Sequence, residues 1–195
     1  TPQLGYDYLK NFGFTTVVDR EEITYGGNTY VYSDIQQSTA LGGLTHGVTN
    51  EELNAAYACI ANGGTYIKPK LYTKVVDHDG NVILDNTEPE TKQVIKETTA
   101  WLLTDAMQDV VTQGTGASVN FGGMAIAGKT GTAQIATKGA YVKGQYVSSF
   151  VGFWPYKNPK YVLLVVLGEP KGAKYYGGEI AAPVFKTIVE DLVQI

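Results

Sequence analysis

Met124-Ala125-Ile126-Ala127-Gly128-Lys129-Thr130-Gly131-Thr132-Ala133-Gln134 is the stretch on which the fold turns. Its residues are apolar before Gly128 and polar after it, and the whole reads as a strand. Val147 to Phe153 reads as a second strand. Tyr161 to Leu167 reads as a third, apolar without alternation, the pattern of a strand covered on both faces. Upstream, Glu97 to Thr112 has a helical period, with Leu103, Met107, Val110 and Val111 on its apolar face and Gly114 and Gly116 at its end. Downstream, Pro183 is expected to open a helix at the first-turn position proline favours, with Phe185, Ile188 and Leu192 on one face. Successive strands set between helices predict an α+β (mixed α/β layer) fold, an antiparallel sheet covered by helices.

The front half is built from smaller pieces. Leu4 to Phe12 reads as a short helix ended by Gly13, and residues 15–34 as loop with short extended pieces. Thr49 and Glu52 form a T-x-x-E capping box, and Leu53, Ala56, Tyr57 and Ile60 then share a helix face that stops at Gly63-Gly64. Val75-Val76 and Val82-Ile83 flank Asp79-Gly80, a hairpin signal, and residues 86–96 read as a polar linker. No repeat is present.

Composition narrows the function. The chain has 195 residues, 44% hydrophobic and 17% charged, which suits one domain, or two small ones, with a real core. Its formal charge of −4, from 15 basic and 19 acidic side chains without a basic cluster, argues against nucleic-acid binding. Cys59 is the only cysteine, so neither an internal disulfide nor a cysteine zinc site can form, and among its alanine neighbours it reads as a small core residue. His46 and His78 lack ligand spacing, and Asp77, Asp79 and Asp85 lack that of a calcium loop, so no metal or cofactor is expected. Tyr141, Tyr146, Tyr175 and Tyr176 suit either a cleft lining or packing on the sheet. No apolar run is long enough to cross a bilayer.

Gly128-Lys129-Thr130-Gly131-Thr132 admits three readings. With Gly123 it matches the P-loop pattern G-x-x-x-x-G-K-[ST]. That loop needs a polar turn between strand and helix, however, and Met124 to Ala127 suit a strand. It also reads as an edge strand whose lysine discourages pairing. The third reading is a strand whose lysine and hydroxyls hold a peptide carboxylate while its backbone pairs with the peptide. Gly131 would then leave room for close approach.

Ala127 to Gln134 closely resembles the K-T-G motif of penicillin-binding transpeptidases. Leu41-Gly42-Gly43-Leu44-Thr45, Glu52-Leu53, Ala61-Asn62-Gly63-Gly64 and Lys68-Pro69 resemble the helix and hairpin entry that precede it in that family. Gly114-Thr115-Gly116-Ala117 is similar to the turn before the strand. Ser148-Ser149-Phe150-Val151-Gly152-Phe153 resembles the family's next strand. Tyr175-Tyr176-Gly177-Gly178 and Ala181-Ala182-Pro183-Val184-Phe185 resemble its loop and closing helix. The likeness runs in order over nearly all 195 residues, which are identified as the C-terminal portion of a single transpeptidase domain. The front resembles bifunctional members, and the part from Ala133 onward resembles monofunctional ones.

The resemblance implies a D-Ala-D-Ala transpeptidase that cross-links peptidoglycan, without cofactor, on the outer side of the cytoplasmic membrane. Its partners would be peptidoglycan stem peptides and β-lactams. Lys129, Thr130, Gly131 and Thr132 would bind substrate, with Lys129 as the electrostatic anchor, the threonines on the terminal carboxylate, and the Thr132 N–H as an oxyanion donor. The family attacks with the serine of S-x-x-K, and here Ser33, Ser38, Ser118, Ser148 and Ser149 are followed at +3 by Gln36, Leu41, Phe121, Val151 and Gly152. Ser118-Val119-Asn120 spells the family's second motif, S-x-N, in a place where the family has a loop, and is read as chance. The chain is therefore expected to be a fragment, inactive alone, whose partner is the N-terminal part of the same domain. Tyr161–Leu167 would then expose an unpaired apolar edge that invites self-association. The alternatives are a non-catalytic module that binds cell-wall peptide or a partner, and a nucleotide binder.

Overall fold

The computed structural model describes residues 1–120, 122–137 and 140–193. They form two compact units, Thr1–Lys96 and Glu97–Ile195.

In the first unit, α1 spans Pro2–Asn11, begun by Thr1, whose hydroxyl accepts from the Leu4 amide. Proline at the first helical position suits a missing N–H, so the helix starts two residues before the apolar pattern does. Strands β1 (Glu21–Tyr25) and β2 (Asn28–Tyr32) form a hairpin within the predicted loop, turned by Gly26 and Gly27, both at positive φ. Helix α2 (Asn50–Ala61) carries the predicted capping box. Thr49 Oγ1 accepts from the Glu52 amide and Glu52 Oε2 from the Thr49 amide, each at 3.2 Å. The helix buries Ala55, Ala56 and Cys59, whereas Leu53, Tyr57 and Ile60 of the predicted face are half-buried.

Strand β3 (Thr65–Ile67) leads to β4 (Lys74–Val76) and β5 (Val82–Asp85), which form the hairpin predicted around Asp79-Gly80. The polar stretch 86–96 is more than a linker: β6 (Thr91–Gln93) pairs antiparallel with β3. Three polar residues carry no alternation to read. Backbone bonds hold them, with a 2.8 Å bond from the Thr65 hydroxyl to Gln93. The unit's core joins Phe14, Val17 and Ala56. The buried Asp34 carboxylate accepts from the Val18 amide (2.9 Å) and from the Thr45 amide and hydroxyl (2.8 Å each), which ties three loop segments to one charge.

The second unit holds the helices and the sheet expected for its end of the chain. Helix α3 spans Glu97–Thr112, and a 3-10 turn follows at Ala117–Val119. Strands β7 (Ala127–Thr137), β8 (Ala140–Trp154) and β9 (Tyr161–Gly168) make an antiparallel sheet in that order. Helix α4 (Gly177–Val193) packs on it. The core comprises Val111, Ile126, Phe150, Trp154, Val165, Phe185 and neighbours. Phe185 meets Phe150 and Trp154 edge-on, at ring separations of 4.8 and 5.7 Å. Gly152 permits this contact, since a Cβ there would lie 2.8 Å from Phe185 Cζ.

Further expectations need correction. On α3 Leu103 of the predicted face is exposed, and on α4 Leu192 is exposed. The first strand starts at Ala127, because Met124 to Ile126 run outside the sheet, where Ile126 enters the core. Tyr161–Leu167 is not fully covered: only Val165 is buried, on the face that meets the core with Leu163 and Leu167. Pro183 lies inside α4, not at its start. The helix tolerates the lost backbone bond because Ala181 and Ala182, just before the proline, are fully enclosed in the core. Among the described residues no helix is long and apolar enough to cross a membrane.

Candidate functional site

Strand β7 is an edge of its sheet. It runs unbroken through Gly128-Lys129-Thr130, so the strand–loop–helix turn that rings a phosphate with amides is absent there. Strand alternation places Lys129 and Gly131 on one face and Thr130 and Thr132 on the other. Lys129 is exposed, and its Nζ donates to the Thr130 carbonyl at 2.6 Å. A Cβ on Gly131 would fall on the Ser149 hydroxyl of the neighbouring strand, so a larger residue there would have to turn that hydroxyl aside.

Each of the two threonine hydroxyls has a partner outside the strand. Thr130 Oγ1 lies 2.8 Å from Thr115 Oγ1, on the loop between α3 and β7. Thr132 Oγ1 accepts from the Gly177 amide at 3.0 Å, at the first turn of α4. That helix start comes so close only because it is Gly177-Gly178. A Cβ on Gly177 would fall on the carbonyl oxygens of Ser149 and Gly131, and one on Gly178 on that of Thr115. Ser148, opposite Thr132, is fully buried and donates to the Tyr175 carbonyl, fixing the approach to α4. The sequence singled out Lys129 to Thr132 but not Thr115 or Gly177 as their partners. The only signals were the Gly-Thr-Gly and Gly-Gly spellings, which do not say what they touch.

Past Thr132 the sheet carries a tyrosine stack. Tyr146, opposite Gln134, stacks on Tyr175 with ring centroids 4.2 Å apart, and Tyr175 lies 4.4 Å from Tyr176. The Tyr175 hydroxyl donates to that of Tyr176 at 3.1 Å. That bond, then the charge Tyr176 would carry, pushes the Tyr175 phenol up to about 12. Tyr141 is exposed.

Other singled-out residues serve local structure. Ser118 donates to the Gly178 carbonyl at 3.0 Å and Val119 is buried, so Ser118-Val119-Asn120 braces the start of α4. His46 Nε2 lies 2.5 Å from Glu21 Oε2, and His78 Nε2 lies 3.2 Å from Asp79. Among the described residues no three His, Cys, Asp or Glu side chains gather where they could hold a metal.

Residues 2–190 match the penicillin binding protein transpeptidase domain. The chain is 32% identical to stage V sporulation protein D of Bacillus subtilis, over 95% of this chain and 30% of that protein. It is 36% identical to peptidoglycan D,D-transpeptidase FtsI of Buchnera aphidicola, over 84% of this chain and 28% of that protein. In structure it is similar to penicillin binding protein 3 of Mycobacterium tuberculosis complexed with ampicillin. The TM-score there is 0.75 at 26% identity, covering 97% of this chain and 45% of that one. The chain thus spans under a third of the length of these curated relatives.

Proposed function

Because the chain belongs to the penicillin binding protein transpeptidase family, we propose that it supplies the carboxylate-binding strand of a D-Ala-D-Ala transpeptidase site that cross-links peptidoglycan. One observation carries this reading: an open-edged strand holds Lys129, Thr130, Gly131 and Thr132, with both hydroxyls fixed by partners outside the strand. An extended stem peptide pairs with the β7 edge, as peptides do with exposed strands. Thr130 and Thr132 donate to its terminal carboxylate, and Lys129, on the opposite face of the strand with its ammonium on the Thr130 carbonyl, adds positive charge from across the strand.

The chain holds no S-x-x-K, so the nucleophile is a serine of a further segment of the same protein. Its Oγ attacks the carbonyl of the penultimate D-Ala. The negative charge that develops on oxygen is met by the Thr132 N–H and by a second donor at the serine, each worth roughly 3–4 kcal/mol. The C–N bond then breaks, the terminal D-Ala leaves as an amine with a proton taken from the site, and an ester remains on the serine. An amine of a neighbouring stem peptide takes the acyl group and frees the serine. β-Lactams occupy the same place and stop at the ester. Such chemistry belongs outside the cytoplasmic membrane, where peptidoglycan lies. The outer edge of β9 pairs with a further strand of the domain or, where that is lacking, with another copy. Light scattering that finds only monomer at high concentration of the isolated chain contradicts the second pairing.

The test is acylation of the full-length protein by a fluorescent penicillin. Lys129→Ala and Thr130→Val each lower its second-order rate by about tenfold or more, the size of a hydrogen bond to a charge. Unchanged rates overturn the proposal. A protein that binds stem peptide but forms no adduct at all is instead a non-catalytic cell-wall module.

A further inference from the structure

We propose that Thr115 is a positioning residue of this site: it donates its hydroxyl hydrogen to Thr130, and so leaves the Thr130 hydroxyl free to donate to a bound carboxylate. The inference rests on the reading of β7 as the carboxylate-binding strand.

A hydroxyl has one hydrogen to give and two lone pairs. An ionised carboxylate only accepts. Thr130 and Thr132 can therefore serve it only as donors, and each needs a neighbour that fills a lone pair without claiming the hydrogen. At Thr132 this neighbour is fixed, because the Gly177 N–H can only donate and does so at 3.0 Å. At Thr130 the neighbour is another hydroxyl, Thr115 Oγ1 at 2.8 Å, and either oxygen can be the donor. With a carboxylate on Thr130, only the direction Thr115 to Thr130 leaves a hydrogen for the ligand. The two threonines then become middle links of parallel chains, one begun by a backbone amide and one by Thr115, each polarised toward the ligand.

The surroundings hold Thr115 in place. The Gly116 amide donates to the Val110 carbonyl at 2.9 Å, and the Ala117 amide to the Gly114 carbonyl at 3.2 Å, which closes the loop at the end of α3. From the other side Gly178 presses against the Thr115 carbonyl, and a Cβ there would also come within 3.4 Å of Thr130 Cγ2. The end of α3, the middle of β7 and the start of α4 thus meet at these hydroxyls.

The experiment measures acylation of the full-length protein by a penicillin and by its methyl ester, which lacks the carboxylate charge. Thr115→Val slows the penicillin about fivefold, the rate equivalent of one neutral hydrogen bond. Thr115→Ala, which crowds the loop less, does the same, and Thr115→Ser restores the rate. The ester reacts slowly with every variant and no slower with Thr115→Val than with the unaltered protein. Thr115→Val adds nothing in a Thr130→Val background, since Thr115 acts only through Thr130. The inference is overturned by an unaltered rate in both hydroxyl-less variants, by equal slowing of the ester, or by additive losses in the double variant. An unaltered rate in Thr130→Val overturns the underlying reading of β7 instead.

Discussion

The Gly177 amide donates to Thr132 Oγ1 at 3.0 Å, and that bond ties the first turn of α4 to the middle of β7. A helix start is rich in unpaired amides and attracts an oxygen lone pair. Here it takes one from Thr132, the threonine that we propose meets the ligand. The helix therefore supports the middle of β7 as well as the core.

Gly177→Ala tests how tightly that support is built. The new Cβ would land on backbone oxygens of Ser149 and Gly131, which cannot rotate away. The variant should lose about 2–3 kcal/mol by urea unfolding, as overpacked cores do. Gly5→Ala, inside α1 with open space around it, should gain roughly 0.5–1 kcal/mol. A Gly177→Ala protein as stable as the original would show that the helix start has room to move.

Glu52 should make stability depend on acid pH. Partial burial alone would raise its pKa, but bonds from the Thr15 hydroxyl and amide and the Thr49 amide together hold it below the ordinary carboxylate value. A depressed carboxyl stabilises the fold above its unfolded pKa and loses that effect as pH falls through the folded one. Glu52→Gln should therefore be less stable at neutral pH by about 1 kcal/mol. The gap should close as the solution is acidified below the ordinary carboxylate range. A gap that stays constant with pH would mean that shape, not charge, matters at this position.

Cys59 should be unreactive while the first unit is folded. It is 1% exposed, and burial pushes its thiol up to about 11. Alkylation by iodoacetamide at mildly alkaline pH should await unfolding in guanidinium, because the thiolate is the reacting species. Prompt labelling of the native protein would contradict the packing of α2.

The tyrosine stack should titrate late. Since Tyr175 donates to Tyr176, the neutral phenol is favoured and its pKa rises from 10.0 to about 12. Any stability from the bond is thus complete below the ordinary phenol value and lost as pH climbs through the raised one. Absorbance titration should show a late phenol that Tyr176→Phe returns toward the ordinary value. No change on substitution would mean that the hydroxyls do not pair in solution.

Much of the architecture was legible because its signals are local. The capping box of Thr49 and Glu52, the Asp79-Gly80 turn and the burial of Met107 and Val111 on α3 each rest on a few neighbouring residues, although Leu103 of the face read for α3 is exposed. What escaped depends on partners far along the chain. Strand β6 is polar and exists through β3, where Thr65 pairs with Gln93, 28 residues on. Pro183 reads as a helix start until Ala181 and Ala182 are seen to anchor a turn already formed. The same holds for the site. Lys129 to Thr132 announce themselves in one motif, whereas Thr115 and Gly177 stand 15 and 45 residues from the threonines they touch.

The most direct measurement of the central claim is a peptide map of the full-length protein after reaction with a penicillin. The account predicts one adduct, on a serine followed at +3 by lysine and lying outside residues 1–195, and its loss or marked weakening in Lys129→Ala. An adduct on Ser33, Ser38, Ser118, Ser148 or Ser149 would contradict the account, because the nucleophile would then lie within this chain.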